Sequence, residues 1–181
     1  IADCVISIPP WFTNKQRKAI LDACQIAGVN CLRLIHDTTA TALHYGAFKT
    51  LNKEFKDDED TNFLFLDLGQ SNFTASVVGF RNGSAQVKSC VWDRTLGGRN
   101  FDEVIAIIAA EGFKKKYGLD PLSNPKARIK LLSSAEKTKK TLSPAGVNQA
   151  PISVESLMEG YDLSAQVYLD EFNEKCTPLL E

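Results

Sequence analysis

Residues 62–74 read NFLFLDLGQSNFT. A short apolar run ends in a carboxylate, Asp67, and passes at once into Leu68-Gly69-Gln70-Ser71. This pattern predicts a strand over residues 62–67, a tight turn at 68–71 and a second strand over residues 72–80. Asn82-Gly83 is a two-residue hairpin signal, which adds a third strand over residues 84–92. A three-stranded antiparallel meander is therefore expected at the middle of the chain.

Towards the N-terminus, residues 2–8 predict a strand that Pro9-Pro10 ends. Thr13 and Gln16 have capping-box spacing. The helix they open carries Ala19, Ile20, Ala23, Cys24 and Ala27 on one face, with Gly28 as its left-handed stop. A strand over residues 31–36 and a helix over residues 38–48 follow. Residues 49–61, KTLNKEFKDDEDT, are rich in charge and predict a solvated loop, with a partner site as the alternative. Towards the C-terminus, Gly97-Gly98 leads into a helix reaching about residue 117. Asp102 and Glu103 suit its first turn, Lys114, Lys115 and Lys116 its last, and Gly118 stops it. Asn124-Pro125 caps and starts the next helix, whose buried face is expected to hold Leu131, Ala135, Thr138 and Leu142. Residues 150–156 and 161–167 predict a hairpin, and a last helix begins near residue 169. The alternation of strands and helices makes the chain α/β.

The 181 residues are 44% hydrophobic and 24% charged, the composition of a folded globular protein. Twenty-one basic against twenty-two acidic side chains give a net charge of −1, which argues against binding nucleic acid or a membrane surface by charge. No apolar run approaches the roughly 18 residues of a membrane span, and no secretory leader is expected. Five scattered cysteines without a CxxC pair predict inert thiols in a reducing compartment, neither a zinc site nor a disulfide framework. The chain opens on Ile1 with a strand under way, and it is expected to be a piece of a longer protein.

Four places can carry chemistry. Asp67 at a strand end, beside the turn at Gly69, Gln70 and Ser71, can hold hydrated magnesium while backbone amides meet phosphate oxygens. An ordinary hairpin turn uses the same residue types. Gly97 and Gly98 before a helix can present free amides to an anion, or form a plain glycine cap. Glu136, Lys139, Lys140 and Ser143 share one helical face, where a purine can stack on a lysine stem while the neighbouring groups bond ribose hydroxyls. The alternative there is a solvated face with an i, i+4 ion pair. Asp37, ahead of Thr38-Thr39, can orient water or magnesium, or cap a helix. His36 and His44 have no partnered ligands in the sequence, and no Ser/His/Asp arrangement or GxxxxGK[ST] loop is present.

Together, IPPWFTNKQRKAILDACQIAGVNCLRLIHDTTATALHYG, DLGQSNFTASVV, LGGRNFD and AEKTKKTLS resemble, in order and separation, the nucleotide-binding domain of the seventy-kilodalton heat-shock chaperones. The resemblance implies the actin-like ATPase (ribonuclease H-like) fold. Residues 1–48 would end its first lobe, residues 49–61 form a charged loop, residues 62–120 the base of the second lobe and residues 121–181 its upper part. It also implies ATP or ADP with Mg2+. Asp67 then stands as the magnesium-side aspartate acting through water, and Asp37 as a further catalytic position. Gly69, Gln70, Ser71, Gly97 and Gly98 fall at phosphate-binding positions, and Glu136, Lys139, Lys140 and Ser143 at adenosine-holding ones. In the family ATP is gripped from both sides, and of the phosphate turns involved only residues 68–71 fall in this sequence.

The departures are informative. The family's DLGGGTFD reads DLGQSNFT, so Thr74 replaces a carboxylate that orders magnesium and the attacking water. Lys140 stands where an arginine is usual, keeping charge but losing a planar stacking surface. Together with SNPKARIKLLSSAEKTKKTLS and SVESLMEGYDLSAQ, the turn is most similar to the large heat-shock branch of about a hundred and ten kilodaltons. That resemblance implies slow ATP hydrolysis, nucleotide exchange on ordinary seventy-kilodalton chaperones, holding of unfolded clients and a cytoplasmic setting. The alternatives are an actively hydrolysing ordinary chaperone, which would carry a carboxylate at position 74, and a structural protein of the actin-like fold.

Overall fold

The computed structural model describes residues 3–52 and 54–181. The chain divides into two compact units, one of Ile1–Leu68 with Phe73–Arg94, the other of Gly69–Asn72 with Thr95–Glu181.

In the first unit, β1 (Asp3–Ile8) pairs in parallel with β2 (Asn30–His36), and α1 (Asn14–Ile26) connects them. The capping box forms: the Thr13 amide donates to Gln16 Oε1 at 2.9 Å and the Gln16 amide to Thr13 Oγ1 at 3.4 Å. Gly28, at φ +68°, follows the helix as expected. The predicted apolar face of α1 is only partly used. Cys24 is buried and Ile20 half-buried, while Ala19, Ala23 and Ala27 stay exposed, because the helix has only a two-stranded sheet to cover. Next comes α2 (Asp37–Leu51), which starts on Asp37 itself, the residue expected at the strand end.

The expected meander is present, with β3 (Thr61–Leu68), β4 (Phe73–Arg81) and β5 (Ser84–Asp93) antiparallel in that order. Val78 and Phe80 of β4 are buried against Ala42 of α2, with Tyr45, Phe63 and Phe65 around them. Gly46 is needed there, because a Cβ would come within 2.5 Å of the Phe80 ring. The charged segment is not simply solvated. Phe55 is buried, stacked on Phe80 at 5.0 Å, and Asp60 pairs with Arg81 at 2.7 Å and Lys88 at 3.0 Å. One aromatic in a polar run suffices to anchor it, since a buried phenylalanine removes a large apolar area from water.

The second unit contains α3 (Gly98–Tyr117), α4 (Pro125–Leu142), the hairpin β6 (Gln149–Met158) and β7 (Tyr161–Tyr168), and α5 (Leu169–Leu180). Gly118 stops α3 at φ +71°, and the Asn124 side chain accepts from the amides of Lys126 and Ala127. Leu131, Ala135, Thr138 and Leu142 of α4 are buried as expected, against Ile105, Ala109 and Phe113 of α3 and the inner face of the hairpin. The free edge of β6 is covered by α4. Lys130, Ser134 and Thr138, one turn apart, donate to the carbonyls of Ser156 at 2.9 Å, Ser153 at 3.0 Å and Pro151 at 2.9 Å. Unpaired strand edges are thereby satisfied by side chains. The hairpin runs two residues further than expected through an irregularity between Val154 and Met158. There Ser156 takes φ +44°, and its amide donates to Asp162 Oδ1 at 2.6 Å.

Candidate functional site

In the second unit the turn Gly69–Asn72 closes on itself through the Gly69 amide and the Asn72 carbonyl at 2.9 Å. It is stitched to the start of α3: the Gly98 amide donates to Gly69 O at 2.8 Å and the Arg99 amide to Gln70 O at 3.0 Å. The Gly97 amide donates to Asn100 Oδ1 at 2.8 Å. The amides expected to be free for an anion at this helix start are thus spent inside the protein. What the two glycines provide is close approach. A Cβ on Gly97 would lie 2.6 Å from the Gln70 carbonyl oxygen, and one on Gly98 2.9 Å from the Gln70 side chain. Turn and helix terminus form one rigid piece, which holds Gln70 and Ser71 at its exposed rim.

Beneath that piece lies Asp102, one turn into α3 and only 4% exposed. Lys139 of α4 reaches it at 2.6 Å and also donates to Gly98 O at 3.0 Å. Gln70 Nε2 donates to Asp102 Oδ2 at 3.2 Å. In the sequence alone Asp102 stands out only as an acid near the helix start, suited to the helix dipole. The signal that would have found it is the i, i+4 spacing from Gly98, which puts both on one side of α3. A buried ion pair adds little net stability, but breaking one by removing a partner costs about 3–5 kcal/mol. Asp102 therefore fixes Lys139, and through it α4, against the turn Gly69–Asn72 and the start of α3.

Of the four residues expected to hold adenosine, Lys139 points inward to this pair. Glu136 and Lys140 form an exposed ion pair at 2.7 Å, the side chain of Lys140 being 71% exposed. The Lys140 ammonium holds the Glu136 carboxyl below its ordinary value, and Glu136 in turn raises Lys140. Such a pair is worth little in water and opens readily to a ligand. Ser143 caps α4 by donating to Lys139 O at 2.8 Å. Beside Glu136, Gln70, Arg99, Asp102 and Arg128 line a cleft of about 370 Å³ within the same unit.

The first unit holds the two aspartates. Asp67 lies exposed near the end of β3, in register with Thr74 of β4, so both leave the same face of the sheet. Thr74 and Ser76 are buried, and their hydroxyls have no hydrogen-bond partner. Ser76 is in register with Cys90 of β5. Burial pushes the Cys90 thiol up and Asp37 adds to this, with the Thr38 hydroxyl acting against it, so the start of α2 borders this face. Asp37 Oδ1 accepts from the Thr38 amide at 2.6 Å. Carboxylates and neutral hydroxyls suit a hydrated magnesium ion held through its water. Among the described residues no group of three or more acids, histidines or cysteines could ligate a metal directly. His36 is taken by Arg17 at 2.9 Å, and His44 packs edge-on against Phe48.

The family model "Hsp70 protein" matches residues 1–181. Heat shock protein hsp88 of Neurospora crassa is 44% identical over 180 residues, which is 99% of this chain and 25% of the relative. A heat shock protein homolog of Saccharomyces cerevisiae is 43% identical over 181 residues, 100% of this chain and 26% of its own. Heat shock 70 kDa protein 4 of Rattus norvegicus is 41% identical over 180 residues, 99% and 21% respectively. The chain thus spans about a quarter of the length of these curated relatives.

Proposed function

The chain belongs to the Hsp70 protein family, in its large heat-shock branch, with the actin-like ATPase fold, and on that premise we propose that it is part of the ATP-binding domain of a chaperone that binds ATP with Mg2+, hydrolyses it slowly, and serves ordinary seventy-kilodalton chaperones as a nucleotide exchange factor and holdase. Residues 1–48 end the first lobe, 49–61 are the charged loop, 62–120 the base of the second lobe and 121–181 its upper part. Asp67 with Asp37 orders hydrated magnesium, and the amides of Gln70 and Ser71 in the rigid turn meet phosphate. Glu136 and Lys140 exchange their mutual bond for the nucleoside, with Lys139 and Ser143 shaping the floor. The setting is cytoplasmic, as the resemblance to the large heat-shock branch implies.

The observation that supports slow turnover is Thr74. Its buried hydroxyl, unpartnered and opposite Asp67, stands where the resemblance expects a carboxylate. A neutral oxygen there leaves one fewer charge to order the metal and the attacking water, so hydrolysis suffers more than binding. Single-turnover hydrolysis by the full-length protein is expected to be slow and to rise in Thr74→Asp, with ATP affinity little changed. A wild-type rate equal to that of an ordinary chaperone, unmoved by a folded Thr74→Asp variant, would refute the reading. For the exchange role, stopped-flow release of a fluorescent nucleotide from an ordinary chaperone should accelerate when the full-length protein is added. Unchanged release removes that part of the proposal.

A further inference from the structure

Three of the five cysteines, expected to be inert, converge in the β1–α1–β2 part of the first unit. Cys4 and Cys31 are register partners on parallel strands, so their side chains leave the same face. The ladder is irregular immediately after them, between Cys4 and Val5, which loosens the local backbone. Cys24, near the end of α1, is buried, and its carbonyl accepts from the Val29 amide at 2.9 Å, turning the chain directly into β2. Burial, followed by the nearby Cys31, pushes both the Cys4 and the Cys24 thiol up. Cys31 is near both, its own thiol donating to the Arg33 carbonyl at 3.5 Å. Cys90 belongs to β5 and Cys176 to α5, away from this group in the chain.

We propose that Cys4 and Cys31 are an oxidation site, at which a hydroperoxide converts the two thiols into a disulfide joining β1 to β2. Neighbouring strands lie about 4.8 Å apart, inside the roughly 4.4–6.8 Å between Cα atoms that a disulfide spans. In the first step the Cys31 sulfur takes one peroxide oxygen, becoming a sulfenic acid and releasing water or an alcohol. In the second, the Cys4 sulfur gives up its proton and displaces the sulfenic hydroxyl, which leaves as water. Two thiols lose two electrons in all, and one peroxide gains them. Each step runs through a thiolate, so both speed up as pH rises, and only Cys4 is paired with Cys31 by strand register. Cys31 and Cys4 are both half-buried, within reach of a small oxidant, whereas Cys24 is buried on α1.

The site is tested on the full-length protein in its native state with hydrogen peroxide at several pH values, followed by alkylation in denaturant and mapping of the peptides from these 181 residues. The expected result is loss of two of the five thiols, a Cys4–Cys31 cross-linked peptide, and a rate that rises with pH. Cys4→Ser should instead leave Cys31 as a trapped sulfenic acid that reacts with dimedone, and Cys90→Ser should change nothing. Five intact thiols, a disulfide involving another cysteine, or independent over-oxidation of single thiols would overturn the proposal. The wild-type map decides the matter by itself, so a variant that fails to fold does not protect it.

Discussion

Gly97 shows how a residue's role can differ from the role its type suggests. A glycine pair before a helix reads as open amides, yet here the amides are bonded and the missing side chain is what matters. A methyl group at Gly97 would meet the Gln70 and Ser71 backbone at 2.6–2.7 Å, and backbone in a closed turn cannot move aside like a flexible side chain. Gly97→Ala is therefore expected to destabilise the second unit by about 1–3 kcal/mol through overpacking. Gly112, also in α3, has nothing within 4 Å of a built Cβ. Gly112→Ala should stabilise by about 0.5–1 kcal/mol, as alanine does in a helix interior. Urea midpoints of the two variants measure both effects, and equal shifts in the same direction would refute the close-approach argument. The Asp102–Lys139 pair belongs to the same scale. It joins side chains far apart in sequence, and each alone has an innocent local explanation, which is why sequence reading left them separate.

Elements were legible where a local rule acts. The Thr13–Gln16 box, Gly118 and the Asn124 cap all fell where hydrogen bonding to nearby backbone demands them. The candidate site was legible in its residue types, not its wiring, because spent amides and inward lysines are set by tertiary packing. The segment between α2 and β3 illustrates the gap. Its charges dominate composition, but Phe55 and Asp60 decide its structure. Asp60 bonds Arg81 and Lys88, and those hydrogen bonds hold its carboxyl below the ordinary range against a smaller opposing effect of burial. A carboxylate depressed in the folded state stabilises the fold above its unfolded pKa of about 3.9. That stability disappears as pH falls through the depressed folded value. Asp60→Asn should therefore lower the urea midpoint at pH 7 and flatten its fall below about pH 4, relative to wild type. A variant curve parallel to wild type throughout would show that the clamp does nothing.

At the scale of the molecule, the residues proposed for the chemistry are divided between the two units. Asp67, Thr74 and Asp37 are in the first unit; the rigid turn, Asp102 and the Glu136–Lys140 pair are in the second. Their stability is uneven. The second unit has a continuous core from Ile105 to Val167, whereas β1 and β2 form a sheet of only two strands, with Val5 55% and Leu32 63% exposed. Two-stranded sheets are marginal alone. The family resemblance implies a nucleotide gripped from both sides, and residues 68–71 are proposed as one of its phosphate turns. Each missing charged hydrogen bond forgoes about 1.5–3 kcal/mol, roughly one to two decades of affinity. The remaining contacts, such as the exposed Lys140, act in water and are weakened accordingly. The 181-residue polypeptide taken alone should thus show no measurable ATP turnover and bind Mg-ATP far more weakly than about micromolar, with its second unit folded. Isothermal titration of the purified polypeptide decides this. Sub-micromolar binding would mean that one phosphate turn with one nucleoside helix suffices, and the division of labour between two lobes would have to be abandoned.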